Sequence, residues 1–450
     1  MATSLRELAE RFDVLFDAWE RADRQLYLVG GCVRDVLMAS EAIGDIDLAT
    51  DALPDETTAI LQRAGFPAYP IGARFGTIST IVDGTPIEIT TFRVEEQYEA
   101  GNRKPNVTFG KDLRHDLSRR DLSLNAMAAG RGGTLYDPFD GQGAIRDGIL
   151  EVPDGGFENT VGILRDDPLR LLRIARFAAR FGFRPTDETT AAAKVTSREL
   201  EAISHERWKM ELDKTLVAPK LADGILWLDE VGALQVIAPS LGLVEGSGEA
   251  LARALERTDV DRITRWAVLF YAAASCRAGK GIPQTDGPVD NSVDSEFAAE
   301  RAWRAAKHFR FSNEELAMVR ALCGGVISAG LLGEPWTRVE LRRFLARWRG
   351  LWQAATDLSF AWSSVDAARY AVVRGQLARA FVEEDFEPVL PLGFGRLVID
   401  ALGFPRGPAV SAALDRLRSA MIDGELANGA DEATCLAFLE SERASLLGDG

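Results

Sequence analysis

A short apolar run, Leu26-Tyr27-Leu28-Val29, ends on Gly30-Gly31, and Asp45-Ile46-Asp47 follows close behind it. The run reads as a buried strand entering a glycine turn, where the missing Cβ lets the backbone come close to a phosphate. In Gly30-Gly31-Cys32-Val33-Arg34-Asp35, Arg34 adds a fork of donors matched to phosphate oxygens. In Asp45-Ile46-Asp47-Leu48-Ala49-Thr50, strand alternation puts both carboxylates on one face and Ile46 and Leu48 on the other. Two hard oxygen donors on one face suit Mg²⁺, and a pair of such ions can clamp the attacking and leaving oxygens of a phosphoryl displacement. Taken singly, each element has an ordinary reading: a glycine pair after a strand, Asp45 as a turn residue, Asp47 as a solvated strand position. Their order and spacing carry the signal.

A chain of 450 residues, 46% hydrophobic and 27% charged, suits two to four soluble globular domains. No stretch of about eighteen uncharged apolar residues appears, so a membrane-spanning helix is not expected. Residues 1–24 lack a signal-peptide pattern; Leu5, Leu8, Phe12, Leu15 and Trp19 recur at helical spacing and predict an amphipathic helix lying on the domain that follows. Cys32, Cys276, Cys323 and Cys435 are scattered, which argues against a disulfide framework or zinc site and fits a reducing cytoplasm. The net charge of −16 counts at first against a nucleic-acid partner, but binding depends on where positive charge sits. Arginine concentrates at Arg165, Arg170, Arg173, Arg176, Arg180 and Arg184, and again at Arg338, Arg342, Arg343, Arg347 and Arg349.

Strand signals cover 26–29, 46–50, 77–82 and 86–92, with a helix over 55–64 and a hairpin turn at Asp83-Gly84-Thr85. From about residue 160 helical periodicity dominates. Helices are predicted over 159–181, 204–216, 301–308, 313–327 and 339–349, and 278–295, rich in Gly, Pro, Asp and Ser, reads as a mobile loop or linker. The fold class is α+β: a small mixed α/β head over 1–150, then helical segments over 151–240 and 241–450.

Three further constellations carry chemistry. In Ile87-Glu88-Ile89-Thr90, Glu88 is a third carboxylate on a strand near the first two; it either completes a metal site, takes a proton from an attacking hydroxyl, or is a polar residue on the solvated side of a hairpin. In Arg119-Arg120-Asp121-Leu122-Ser123-Leu124-Asn125, a helical conformation would place Asp121 and Asn125 on one face, with two arginines at the helix start suited to a triphosphate. The third is Asp166-Asp167-Pro168-Leu169-Arg170, continued by Arg173 and Arg176 at i,i+3 spacing. Asp167 before Pro168 is a natural N-cap, and the arginines make a solvated face. The same residues also form a base reader: a carboxylate accepts from an exocyclic amine while an arginine one turn away donates to the adjacent ring acceptor. Cytosine and adenine share that edge; guanine and uracil present the inverse. Asp137-Pro138-Phe139-Asp140-Gly141 reads as a structural turn.

In these motifs, ordered over roughly residues 24–235, the chain resembles the class II tRNA nucleotidyltransferase and poly(A) polymerase family, in particular its CCA-adding branch. Glu206-Arg207 looks like a further family element, an acid and arginine opening a helix. The resemblance implies a nucleotidyltransferase head over 1–150, a neck with the base-reading helix over 151–240, and a body and tail over 241–450 that dock tRNA. It implies template-independent addition of C, C and A to tRNA 3′ ends from CTP and ATP, with Mg²⁺ as cofactor and pyrophosphate released. A-only or CC-only addition and polyadenylation share these head motifs, and a non-catalytic RNA-binding protein on the same scaffold would have lost a metal carboxylate. Neither DNA nor a membrane is an expected partner. By resemblance, Asp45 and Asp47 hold the metal with Glu88 as auxiliary carboxylate. Gly30, Gly31, Arg34 and Arg120 contact the triphosphate, Asp167 and Arg170 read the base, Arg173 and Arg176 support the nucleotide, and Glu206 braces the reading helix. The segment 94–106 falls where relatives that add the terminal A carry a flexible loop. The chain departs from the family in having Asp166 where Glu is common. It also has no His-Asp pair in Trp266-Ala267-Val268-Leu269-Phe270-Tyr271-Ala272-Ala273-Ala274.

Overall fold

The structure, a computed structural model, describes residues 3–97, 106–237, 246–277, 295–326, 332, 335–363, 365–384 and 386–447. It divides into two compact units, Met1–Ala252 and Arg253–Gly450.

The first unit is built on β1 (Leu26–Val29), β2 (Ile46–Thr50), β3 (Thr77–Val82), β4 (Thr85–Thr91), and two short strands, here β5 (Ala128–Ala129) and β6 (Leu135–Tyr136). They form one six-stranded sheet in the order β3-β4-β2-β1-β5-β6. Only β2 and β4 run parallel; the other neighbours are antiparallel. Ile46 and Leu48 face a core containing Leu28, Ile78, Ile87 and Ile89. Helices α1 (Leu5–Glu10), α2 (Asp13–Arg21), α3 (Gly31–Leu37) and α4 (Pro54–Arg63) contribute to it. The opposite face carries Val29, Ala49, Phe92, Ala126 and Ala128 in a second apolar cluster. The β3–β4 turn has Asp83 and Gly84 at φ 49° and 78°, the left-handed pair of a type I′ hairpin.

The four expected strands lie where the sequence places them, within a residue; β5 and β6 are not expected from it. The N-terminal helix does not run unbroken. α1, closed by a Ser4/Glu7 capping box, stops at Arg11, and α2 restarts after Phe12. Trp19 is buried and its indole N–H donates to Thr50 Oγ1 at 2.8 Å, tying α2 to β2.

Two helix expectations fail for local reasons. Residues 159–181 form two helices, α6 (Phe157–Asp166) and α7 (Leu169–Phe181). Pro168 offers no N–H and pushes Asp167 to φ −140°, ψ 94°, ending the first helix there. Residues 119–127 are not an α-helix. The helix α5 (Leu113–Ser118), which precedes α6, ends before Arg119, Leu122 is extended, and a 3₁₀ turn covers Ser123–Asn125. Ser123 donates its N–H and hydroxyl to the carbonyl of Glu151 at 2.8 and 3.2 Å, which fixes the extended entry. Arg119 and Arg120 therefore follow a helix rather than start one.

α7 buries Leu169, Leu171, Leu172, Ile174, Ala175, Phe177, Ala178 and Ala179 and leaves its arginines on the other side. It packs on α8 (His205–Leu216) and α9 (Leu221–Glu230). The α7–α9 approach depends on Gly224, where a Cβ would stand 2.6 Å from the carbonyl oxygen of Ala175.

The second unit is helical throughout its described residues. Its helices include Ser295–His308, Asn313–Cys323 and Arg338–Trp348, close to the sequence reading. The predicted linker falls largely at 278–294, and part of the 94–106 loop at 98–105, both outside the described residues. The segment 266–274 lies in the helix Arg262–Arg277, where Trp266 and Phe270 pack against Phe309 and Phe311. Three arginines of the 338–349 stretch hold the unit together. Arg338 pairs with Glu384 at 2.8 Å, Arg343 pairs bidentately with Asp423 at 2.6 and 2.8 Å, and Arg342 donates to the carbonyl of Met421 at 2.7 Å. Among the described residues no helix is long and apolar enough to cross a membrane.

Gly224→Ala should destabilise the first unit by about 1–3 kcal/mol, because overpacking against a backbone oxygen outweighs alanine's roughly 1 kcal/mol helix advantage. A fall in the thermal midpoint is expected; a rise would show that α7 and α9 have room to separate.

Candidate active site

All eleven residues singled out in the sequence line one cleft of about 840 Å³ in the first unit. Its floor is the β1–α3 turn. Gly30 sits at φ 72°, and a Cβ there would stand 2.9 Å from Nη1 of Arg120, so the bare glycine lets that guanidinium lie against the backbone. The parallel pairing of β2 and β4 sets Asp47 level with Glu88, with Asp45 two residues before Asp47.

The cleft collects nine basic and seven acidic side chains, and the acids divide into two sets. Asp35, Asp116, Asp121 and Asp167 are each paired with arginine. Asp45, Asp47 and Glu88 form the other set: among the described residues, none of these three carboxylates has an ion pair or a hydrogen bond. Asp45 and Glu88 are exposed and Asp47 is half-buried. Burial pushes the Asp47 carboxyl up to about 6; the neighbouring Glu88 and Asp45 charges push the same way, and Arg120 opposes them. No group of three or more Asp, Glu, His or Cys side chains among the described residues is gathered closely enough to hold a metal alone. A two-carboxylate arrangement that leaves the remaining coordination to phosphates and water is the one Mg²⁺ commonly takes.

The paired acids fix the cationic wall. Asp116 is buried and accepts from Arg119 at 3.4 Å, from Arg120 at 3.1 Å and from the N–H of Arg93 at 3.1 Å. Burial alone would raise its pKa, but the two arginines and the Arg93 N–H hold it below the usual carboxylate range. Asp121 is buried too. Arg173, at 2.7 Å, together with Asn125, Arg170 and Arg176, overrides the upward push of burial and brings it down to about 2. Asn125 reaches Asp121 at 3.0 Å across the 3₁₀ turn, so the pairing expected on a helix face is made without the helix.

Arg34 does not stand as an open phosphate fork. It is 4% exposed, gives Nε and Nη2 to Asp35 at 2.9 and 2.7 Å and Nη1 to Asn125, and lies 5.2 Å from the ring centres of both Phe177 and Phe181. Burial draws its pKa down, with Asp35 opposing. The remaining α7 arginines are likewise held. Arg170 donates to the carbonyls of Ile163 at 3.1 Å and Arg119 at 2.6 Å, and Arg176 lies 3.2 Å from Glu211 and over the Phe177 ring. The Nε of Arg120, like that of Arg176, is buried without a hydrogen-bond partner.

Asp167 is a cap and is held by Arg207. One oxygen accepts from the N–H of Leu169 at 3.3 Å, as a cap does, and both accept from Nη2 of Arg207 at 3.2 and 3.1 Å. A carboxylate has about four acceptor sites and a guanidinium five N–H donors, so Asp167 and Arg170 stay fixed with capacity in hand. Sequence reasoning missed Asp116, and named Arg207 without its pairing to Asp167. Asp116 carries a local signal, its i,i+3 and i,i+4 spacing to Arg119 and Arg120. Arg207 stands forty residues from its partner, and only its place beside Glu206 marks it.

Comparisons with known proteins agree on the family. The family described as "Poly A polymerase head domain" matches residues 26–151, and "Probable RNA and SrmB- binding site of polymerase A" matches 182–243. The CCA-adding enzyme of Geobacillus thermodenitrificans is 34% identical over 90% of this chain and 90% of its own. That of Geobacillus stearothermophilus is 31% identical over 89% and 90%. A solved Bacillus stearothermophilus CCA-adding enzyme in complex with CTP superposes with a TM-score of 0.72 at 25% identity, covering 98% of this chain and 99% of that one.

Because the folded Asp47 carboxyl titrates near 6, above its unfolded value of 3.8, its ionised form destabilises the fold at neutral pH, and the penalty fades as pH falls from 6 towards 4. With a chelator present, Asp47→Asn should raise stability at pH 7.5 on the order of 1 kcal/mol, less than the full shift because the side chain is only half-buried. The gain should shrink by pH 4.5. An equal gain at both pH values, in thermal melts, would count against the assignment.

Proposed function

The chain belongs to the CCA-adding enzyme family of tRNA nucleotidyltransferases, and on that premise we propose that it adds C, C and A to tRNA 3′ ends from CTP and ATP without a nucleic-acid template, releasing pyrophosphate. The observation that carries the reading is the three unneutralised carboxylates facing a wall of fixed arginines across one cleft.

The donor set fits Mg²⁺: hard carboxylate oxygens of Asp45 and Asp47, one of them with its pKa raised in the metal-free protein, and among the described residues no cation paired with either. When bound there with the nucleotide's phosphates, the metal supplies charge stabilisation at the α-phosphate and acidifies the attacking 3′-hydroxyl. Glu88, level with Asp47, is the auxiliary carboxylate that takes up the hydroxyl proton. The backbone at Gly30 and Gly31 and the unused Nε of Arg120 hold the triphosphate oxygens. Arg34 serves that site from behind, bracing Asn125 and α7. The RNA 3′-oxygen attacks the α-phosphorus, and pyrophosphate leaves as the bond to the β-phosphate oxygen breaks.

Selection of the nucleotide falls to Asp167 and Arg170. Asp167 accepts from N4 of cytosine or N6 of adenine, and Arg170 donates to the adjacent ring nitrogen. Arg207 and the backbone carbonyls of Ile163 and Arg119 hold the pair, which makes the reader rigid enough to refuse the inverted edges of guanine and uracil. Arg173 and Arg176 support the nucleotide beside them. We assign 1–150 as head, 151–240 as neck and 241–450 as the tRNA-docking body and tail. A reducing cytoplasm suits the free, buried Cys32, Cys323 and Cys435.

Transcripts ending before CCA, after C and after CC, each given one triphosphate, provide the test. CTP should be used on the first two and ATP on the third; ATP alone, with tailing of unrelated RNA, would make the protein a poly(A) polymerase. Asp47→Ala should lower incorporation by at least about 10³-fold, roughly 4 kcal/mol of transition-state stabilisation, while tRNA affinity in a filter-binding assay stays nearly intact. Asp167→Ala should admit UTP and GTP; unchanged selectivity would reduce Asp167 to a helix cap.

A further inference from the structure

Asp35 is 1% exposed, and besides its neighbour Arg34 two further segments converge on it. It sits in α3, the helix that follows the glycine turn. Its Oδ1 takes Nε and Nη2 of Arg34 at 2.9 and 2.7 Å. The same oxygen lies 3.6 Å from Nη2 of Arg180, in the last turn of α7. Its Oδ2 accepts the backbone N–H of Gly44 at 3.3 Å. Gly44 is the residue before Asp45, and a Cβ at Gly44 would stand 3.4 Å from Oδ2, so the carboxylate rests directly against that turn.

These contacts join the two working parts of the cleft through one side chain. The Gly44 contact fixes the entry of β2 and therefore where the Asp45 carboxylate starts. Arg180 comes from the helix that begins with Leu169 and Arg170, and the Arg34 guanidinium lies against Phe177 and Phe181 of that helix. Arg34 also reaches Asn125, which holds Asp121, which holds Arg173. Two charged side chains buried together, with their contacts directed at the Gly44 turn, Asn125 and Arg180, fix a unique geometry rather than merely fill a core.

We propose that Asp35 is a positioning residue that sets the metal-holding turn Gly44–Asp45 in register with the base-reading helix, by holding the Gly44 N–H and Arg180 at the same time. The proposal rests on the cleft being the nucleotidyl-transfer site described above. Loss of the Asp35 charge slackens both attachments, so metal use and nucleotide use degrade together. Loss of Arg180 slackens only the helix side.

The test uses the full-length protein with tRNA lacking its CCA end, measuring CMP incorporation against Mg²⁺ and CTP concentration, with thermal melts to confirm folding. Asp35→Asn should raise the Mg²⁺ midpoint and the KM for CTP each by fivefold or more, with partial recovery in Mn²⁺. Arg180→Met, at a half-exposed position, should raise the KM for CTP and increase UTP misincorporation about threefold or more while the Mg²⁺ midpoint stays within twofold. An Asp35→Asn protein that melts lower but keeps the parental Mg²⁺ midpoint would show a purely structural role and overturn the proposal. Unchanged KM and UTP rejection in Arg180→Met would overturn it as well, even if Asp35→Asn fails to fold. Asp47→Ala is run alongside: retained incorporation in that variant would reject the site itself, whereas its loss together with parental behaviour of the other two variants rejects only the role given to Asp35.

Discussion

Parallel pairing of β2 with β4 sets Asp47 against Glu88, two residues after Asp45, and among the described residues no basic side chain is paired to any of the three. Burial raises the pKa of Asp47 to near 6, and the like charges of Glu88 and Asp45 add to the rise against the pull of Arg120. A strand this unfavourable at one end has to be held elsewhere. Ile46 and Leu48 are buried in one apolar cluster and Ala49 in another, and Thr50 is locked to Trp19 of α2. The sheet therefore stays formed whether or not a cation relieves the repulsion. Electrostatic strain is confined to the strand's first two turns of side chain, where chemistry needs it.

The opposite wall follows from a second constraint. Arginine side chains lose much rotamer freedom when they grip a ligand, and a row left loose on a helix face would select poorly. Here Arg34, Arg170 and Arg173 are each bonded to a buried carboxylate, a side-chain amide or a backbone carbonyl before any nucleotide arrives. Asp121, which holds Arg173, and Asp116, which holds Arg119 and Arg120, are themselves kept ionised: Asp121 at about 2, Asp116 below the usual range. The wall's charge is thus set in advance, which is how fixed dipoles and charges stabilise a transition state without reorganising. Gly224 contributes to the same end from outside the cleft by letting α9 seat against α7.

Much of this was legible in the sequence because period-two and helical patterns survive locally. β1, β2 and β3 fall on their predicted residues, β4 within one, and the eleven residues given metal, triphosphate or base roles line the cleft. What was lost has particular causes. Pro168 was recognised as a helix start, but its effect on Asp167 also ends the helix before it, a consequence the apolar periodicity across 159–181 conceals. The extended Leu122 is imposed by a hydrogen bond to Glu151, twenty-eight residues from Ser123. Arg34 has the side chain of a phosphate binder, but its burial between Phe177 and Phe181 depends on a helix far along the chain. Local pattern identifies which residues carry chemistry; which of them touch substrate and which hold the others is decided by long-range pairs.

The same distinction resolves the chain's acidity. A net charge of −16 repels a polyanion at long range, yet at physiological salt such repulsion is screened beyond about 8 Å. Inside the cleft basic side chains outnumber acidic ones nine to seven, and among the described residues three of those acids, Asp45, Asp47 and Glu88, carry no ion pair. With a divalent cation on Asp45 and Asp47 the local balance becomes strongly positive, so the cleft is attractive to a triphosphate mainly once the metal is present. In the second unit, Arg338 and Arg343 meet Glu384 and Asp423, so that stretch holds helices together and presents less positive charge than its composition suggests. Positive potential is thereby concentrated where the nucleotide reacts. A surface that is otherwise acidic disfavours non-specific RNA binding, leaving recognition to depend on a 3′ end that reaches the carboxylates.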